Sequence, residues 1–351
     1  MSRLLAAAAL VLAAIAPVYA PAYAQDNQAS PFERARLAYA ARDYFTARDA
    51  AGVAAASGEA QAMVLAGLLQ ERGLGGPVDM QAARTWYERA ADLDDTDGML
   101  GLARLAADSQ AGLAPSDARG FLRRAQARGA AGADLLLGQM LARGVGGPPD
   151  PAGARELLAP LADAGDSEAQ IELAYLELER GNAEAAREQL ERAAAGGDAE
   201  AAYQAGILWA DDEAAPDGLA RAAGLFRQAA EGGHAAGATL YAHALWQGAG
   251  VAEDRAEAVR WYGEAAGRGD AEGQFYYAVM LFAGAGLPAN VEESYYWALR
   301  SAAADPQPQA GYGDQRAALR AQAEAALNED ARARIAARAR TDAGALPLNL
   351  E

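Results

Sequence analysis

The stretch Trp261–Asp305, WYGEAAGRGDAEGQFYYAVMLFAGAGLPANVEESYYWALRSAAAD, carries one spacing twice. Trp261 stands eight residues before Gly269, and Trp297 stands eight residues before Asp305. An active site has no use for a large residue repeated at fixed intervals. A stack of equivalent packing units does. Outward from this pair, the residues that open each unit are Gly58, Asp94, Gly129, Gly165, Gly197, Gly233 and Gly269, with Asp305 closing the last. The gaps are 36, 35, 36, 32, 36, 36 and 36. An incomplete unit begins near Asp26, which makes about eight units and predicts a solenoid.

Each unit has two helix-length halves. Nine residues after each opening position stands Gly or Ala: Gly67, Ala103, Gly138, Ala174, Gly206, Ala242 and Ala278. In the second half, a large residue stands eight positions before the next opening in most units, at Trp86, Phe121, Leu157, Leu225, Trp261 and Trp297. Three residues before it is a small one, Ala83, Ala118, Ala154, Ala186, Ala222, Ala258 or Ser294, and a small pair such as Ala265-Ala266 follows. Small residues let two helix backbones approach, and the large side chain is expected to fill the space beyond them. Asp43, Asp79, Asp150, Asn182, Asp254 and Asn290 stand where they can cap the second helix. The first helix is expected to end in glycine, at Gly73 and Gly75, Gly144 and Gly146, Gly248 and Gly250, Gly284 and Gly286.

These residues resemble the Sel1-like repeat, a relative of the tetratricopeptide repeat, whose pattern is A-x3-LG-x2-Y-x2-G-x-GV-x2-D-x2-KA-x2-WY-x2-AA-x2-G. GATLYAHALWQGAGVAEDRAEAVRWYGEAAGRG (Gly237 to Gly269) and AMVLAGLLQERGLGGPVDMQAARTWYERAA (Ala62 to Ala91) carry it. The resemblance covers roughly residues 30 to 305. It implies an all-α, right-handed superhelical solenoid of helix-turn-helix repeats, with first-half helices lining the concave face. Two units depart from it. The 165–196 unit lacks the glycine loop and has Gln189 at the large position, and the 94–128 unit has Ala114 in place of a cap. Both are expected to pack less tightly than their neighbours. After Asp305 the pattern stops. A helical segment from about Asp314 to Arg340, interrupted near Asn328, is expected to cap the last repeat. The predicted organisation is a leader at 1–24, the solenoid at 25–305 and a capping segment with tail at 306–351.

Composition supports many short helices. The chain is 351 residues long and 52% hydrophobic, mostly alanine, with 38 glycines. Its net charge of −18, with 30 basic residues that are all arginine, makes nucleic acid and anionic lipid unsuitable partners. Arg3 and the apolar run Leu4 to Ala16 read as an export leader too short to remain as an anchor. Ala22-Tyr23-Ala24 is the preferred cleavage site, since Pro21 spoils the one before it, so the mature chain is expected to begin at Gln25 in the periplasm or beyond. No cysteine is present to carry a lipid or a disulfide.

The sequence offers little chemistry. The two histidines, His234 and His243, lack further metal ligands at helical spacing, and no serine, histidine and acid form a nucleophile motif. GLGGPVD and GVGGPPD lack a P-loop lysine and follow helices. The acidic run DLDDTDG (Asp92 to Gly98) is out of register for a calcium loop. No catalytic residue, cofactor or metal is expected. The resemblance implies a non-catalytic interaction scaffold or regulator, with a membrane sensor or an envelope or exopolysaccharide assembly component as partner. Two alternatives are a hydrolase of cell-wall or β-lactam compounds and a carbohydrate-binding module. Of 25 aromatic residues, 15 fall between Tyr203 and Tyr312. Tyr276, Trp246, Tyr241, Tyr277 and His243 are the partner-binding residues expected from that enrichment, Tyr276 and Trp246 being the better exposed. A bulkier core at this end is the competing explanation.

Overall fold

A computed structural model describes residues 29–212, 214–304 and 312–344. It contains eighteen α-helices and no strand among the described residues. The leader assigned to residues 1–24 lies outside them. The helices come in pairs, as the period predicts, and contacts divide them into two compact units, one up to Leu161 and one from Ala162.

The first unit holds α1 (Pro31–Ala40), α2 (Tyr44–Ala56), α3 (Ala60–Glu71), α4 (Met80–Asp92), α5 (Thr96–Ala107), α6 (Pro115–Ala127) and α7 (Ala133–Arg143). Its boundary falls within α8 (Pro151–Asp163). The second holds α9 (Ser167–Glu179), α10 (Ala183–Ala195), α11 (Ala199–Ala210), α12 (Gly218–Glu231), α13 (Ala235–Gln247), α14 (Arg255–Gly267), α15 (Ala271–Ala283) and α16 (Val291–Ala304). Two further helices, α17 (Tyr312–Ala325) and α18 (Glu329–Gly344), follow the pairs, and Asn328 caps the second of them.

The punctuation is where the sequence placed it. All six predicted caps accept from the backbone N–H three residues on. Ala114 has no such bond; there Pro115 opens α6, and Asp117 accepts from the Ala114 N–H. Six first helices carry caps that the sequence did not predict: Ser30, Asp95, Asp166, Asp198, Asp270 and His234, the last through Nδ1. The second glycine of each loop has a steric reason to be glycine. A Cβ on Gly75 would lie 2.1 Å from the Tyr44 carbonyl oxygen, and one on Gly250 would lie 2.0 Å from that of Leu219. The loop of each repeat thus presses against the start of the preceding repeat's second helix.

Arginines hold the same joint. Arg48 donates to the Pro77 carbonyl, Arg84 to that of Ala111, and buried Arg119 to those of Met140, Val145, Gly147 and Pro148. Each arginine sits on a second helix and satisfies carbonyls of the next repeat's loop.

The packing frame differs from the sequence reading by one residue. Trp86, Phe121, Leu157, Leu225, Trp261 and Trp297 are all half-buried. The fully enclosed side chains are their successors Tyr87, Leu122, Leu158 and Tyr262, with Phe226 also buried. In α4 the buried set is Ala83, Tyr87, Ala90 and Ala91, which is an i, i+4, i+7, i+8 face; Trp86 lies at its edge. The Gly/Ala positions of the first helices receive these rings. A Cβ on Gly67 would lie 2.7 Å from the Tyr87 ring, one on Gly138 2.7 Å from Leu158, and one on Gly206 2.5 Å from Phe226. The expectation of loose packing in the 165–196 unit fails for the same reason. Gln189 is at the edge, while Leu190 fills the enclosed position at 1% exposure. The 94–128 unit likewise encloses Leu122.

In the second unit α18 closes over α16. Ile335, Ala331 and Ala339 pack with Tyr295 and Tyr296, and the Tyr296 hydroxyl donates to Asp342 over 2.6 Å. The arginines of α18 that face α16 pair with its acids, Arg334 with Glu292 and Arg338 with Glu293.

Candidate partner-binding groove and aromatic cluster

The first unit contains a groove of about 380 Å³, lined mainly by α1, α3, α5 and α7, the first helix of each pair, with Tyr87 of α4 and Leu122 of α6 contributing. Leu65, Leu68, Ala103, Leu122 and Met140 form a buried floor, and half-buried Phe32, Val64, Leu100 and Leu136 stand as walls. Glycine and alanine at the helix contacts bring these helices close enough to align their faces.

Polar groups in the floor are mutually satisfied. Glu71 takes a bidentate bond from Arg104, at 2.8 Å from Nε and 2.6 Å from Nη2, and a third from the Tyr87 hydroxyl at 2.7 Å. Burial would push the Glu71 carboxyl up, but Arg104, then Tyr87 and Arg72, outweigh it and hold it below its ordinary range. Burial also raises the Tyr87 hydroxyl well above the usual tyrosine range. This network ties α3, α4 and α5 together. Such fully satisfied networks rigidify rather than react.

At the rim, Arg36 pairs with Glu33 at 3.1 Å. Asp97, in the first turn of α5, and Asp108, at its C-terminal end, have no cationic partner among the described residues. Burial, then the charge of Asp95, raises the Asp97 carboxyl above its ordinary range, although the residue remains open to solvent at the groove's mouth.

The residues expected from the sequence lie in the second unit, where Tyr241, Trp246, Tyr276 and Tyr277 belong to one apolar cluster in which Tyr241 is buried and the others are half-buried. Tyr276 and His243 meet edge to face at 4.5 Å, and Tyr262 stacks on Tyr276 at 5.4 Å. His243 Nδ1 lies 2.7 Å from the Tyr262 hydroxyl, and its Nε2 lies 3.4 Å from Glu272. Tyr262 is driven well above the usual tyrosine range by burial, then by Tyr276 and Glu272. Trp246 is half-buried with the Arg255 guanidinium 5.1 Å from its ring. Tyr241 is buried against Trp261, and Tyr277 turns toward Trp297 at 5.9 Å. Phe275, Tyr295 and Tyr296 are buried as well, so much of the aromatic surplus is core.

The groove of the first unit is absent from the sequence reading, which weighed aromatic residues. Its signal is aliphatic. Val64, Leu100 and Leu136 stand on first helices beyond what the small-residue contacts need.

A family model described as Sel1 repeat matches residues 60–95, 131–166, 167–198, 199–234, 235–270 and 271–306, more than half of the chain. The stretch it passes over includes Ala114, where the cap is missing. A Sel1 repeat protein from Oxalobacter formigenes has a similar structure, with TM-score 0.50 and 20% identity over 78% of this chain and 97% of that one. A protective antigen present in uropathogenic Escherichia coli strains, displaying an SLR fold, gives TM-score 0.40 and 20% identity over 87% of this chain and 78% of its own. Yeast Tom70 gives TM-score 0.46 and 15% identity, covering 88% of this chain and 66% of that one. At these identities the likeness concerns the fold. No curated protein matches the chain.

Proposed function

This chain belongs to the Sel1 repeat family, and from that premise we propose that it is a non-catalytic scaffold for protein–protein interaction. The observation that carries the reading is the groove of the first unit. It offers aligned apolar side chains on rigid first helices, over a floor whose charged groups are already paired with one another. The proposed partner inserts a chain segment there. The aromatic set Tyr276, Trp246, Tyr241, Tyr277 and His243 is proposed as a second contact face, supported by the partial exposure of Tyr276, Trp246 and His243.

The scaffold is further proposed to act in the bacterial periplasm, on a sensor or an assembly component of the envelope. The support is the composition of residues 1–24, with Arg3, an apolar run and Ala22-Tyr23-Ala24. Mass spectrometry of the periplasmic fraction is expected to find Gln25 at the N-terminus. An intact Met1 form in the cytoplasm refutes export.

The scaffold reading is tested by crosslinking pull-down from native cells with wild type and a Val64→Glu/Leu100→Glu variant. The variant must match wild type by circular dichroism. Captured partners are expected to fall at least tenfold. Equal capture by the folded variant removes the groove from the interaction.

A further inference from the structure

We infer that the groove of the first unit accepts an apolar peptide segment bearing a basic side chain, with Asp97 as the anchoring carboxylate. This rests on the scaffold reading and names the chemistry of its partner.

Asp97, Leu100 and Arg104 stand at i, i+3 and i+7 on α5 and share one helix face, and Asp108, the residue that ends the helix, follows at i+11. That face forms part of the groove lining. The two acids lie about 16 Å apart along the helix axis, at a rise of about 1.5 Å per residue. Between them the lining is Leu100, Ala103 and Ala107 beside the paired Arg104, in the groove that Val64 and Leu136 also line.

Charge then selects the partner. The guanidiniums near the groove are committed, Arg36 to Glu33 and Arg104 to Glu71 with the Tyr87 hydroxyl. Arg104 spends both arms of its fork on Glu71, and Arg36 is drawn to its own i−3 acid at the rim. Asp97 and Asp108 are left without a cation. On α5 the residue four positions after Asp97 is Gly101 and the nearest arginine is Arg104, already engaged, so the helix supplies no local partner. An acidic segment would meet two like charges beside an apolar wall. A neutral one would leave Asp97 against that wall without a counter-ion. A basic side chain, laid with its methylenes along Leu100 and its head at Asp97, satisfies both surfaces. The proton affinity of Asp97, raised by burial and by Asp95, agrees with a carboxylate lacking a counter-charge. Gln61 occupies the matching place on α3 and lines the same groove, with an amide able to bond the backbone of the segment. The chain's overall charge of −18 favours encounter with a basic partner.

The test uses the full chain and a random peptide library displayed on phage. Selected peptides are resynthesised with a photo-crosslinker. Those whose crosslinks fall on α3, α5 or α7 are the groove binders, a criterion that needs no folded variant. They are expected to carry Lys or Arg among apolar residues. Fluorescence anisotropy is expected to show at least tenfold weaker binding to Asp97→Asn and near wild-type binding to Asp97→Glu. Groove binders without basic residues, or with equal affinity for Asp97→Asn, overturn the inference and leave the scaffold reading standing. If no selected peptide maps to the groove, the groove fails as a binding site altogether, and the inference with it.

Discussion

Replacing Tyr87 and Trp86 one at a time separates two packing frames a single residue apart. Tyr87 is 1% exposed, and its ring lies between Gly67 of α3 and Gly101 of α5, where Cβ atoms would come within 2.7 and 2.8 Å of it. Neither glycine has a side chain that could relax into the hole left by Tyr87→Ala. The cost should therefore approach the top of the range for buried aromatics, about 4–5 kcal/mol. Tyr87→Phe keeps the ring and removes the hydroxyl that donates to Glu71. Arg104 still holds that carboxylate in two bonds, so the loss should be about 1.5 kcal/mol, the low end for a bond to a charged group. Trp86 is half-buried beneath Arg89, and Trp86→Ala should cost about 1 kcal/mol. Urea titration by circular dichroism gives the ranking. Hydrogen exchange on peptides from α3 to α5 localises the opening, which matters because repeat arrays need not unfold in one step. If Trp86→Ala costs as much as Tyr87→Ala, the enclosed position has been misassigned and the glycine contacts do not govern packing.

Acid should weaken the first unit through Glu71. Its carboxyl sits below the ordinary 4.5 in the folded state, so its contribution is present above that value and is lost as pH falls through the folded one. Glu71→Gln should then destabilise at neutral pH, with the gap to wild type closing in acid; a gap independent of pH refutes the linkage. Gly250→Ala should destabilise by more than about 1 kcal/mol, given a φ of +72° and a carbonyl 2.0 Å from the new Cβ. Gly267→Ala, at the end of α14 with nothing within 4 Å, should be neutral or stabilising by up to about 1 kcal/mol. Equal melting shifts for the two would dismiss the loop contact. A folded Tyr276→Ala/Trp246→Ala variant should capture partner at least tenfold less well, about 1.4 kcal/mol, and undiminished capture removes the second face.

The period, the caps and the glycine turns were legible because they are local. Asp79 bonds three residues away, and a positive φ at Gly73 or Gly75 concerns the residue itself. The enclosed ring was misplaced by one because Trp and Tyr are adjacent in WY. Which of two neighbouring apolar residues faces inward depends on the angle at which the helix docks, and spacing does not encode that angle. The Glu71–Tyr87–Arg104 network was invisible, since its members come from three helices and none repeats in every unit. The groove was missed because its walls are aliphatic residues of ordinary helix type. What marks them is their alignment across α1, α3, α5 and α7, which exists once the helices are stacked.

The arginine joints give the molecule a direction in time. Arg48 meets Pro77 29 residues later, Arg84 meets Ala111 27 residues later, and Arg119 meets Pro148 29 residues later. A chain that folds from its N-terminus therefore leaves each second helix unfinished for most of one further repeat and then completes it with the segment that follows. The wait is nearly constant along these repeats and involves no distant segment, so the first unit can assemble in sequence order. A stalled or truncated chain carries its defect at the newest repeat, where an arginine still lacks its carbonyls, while the repeats behind it are already closed.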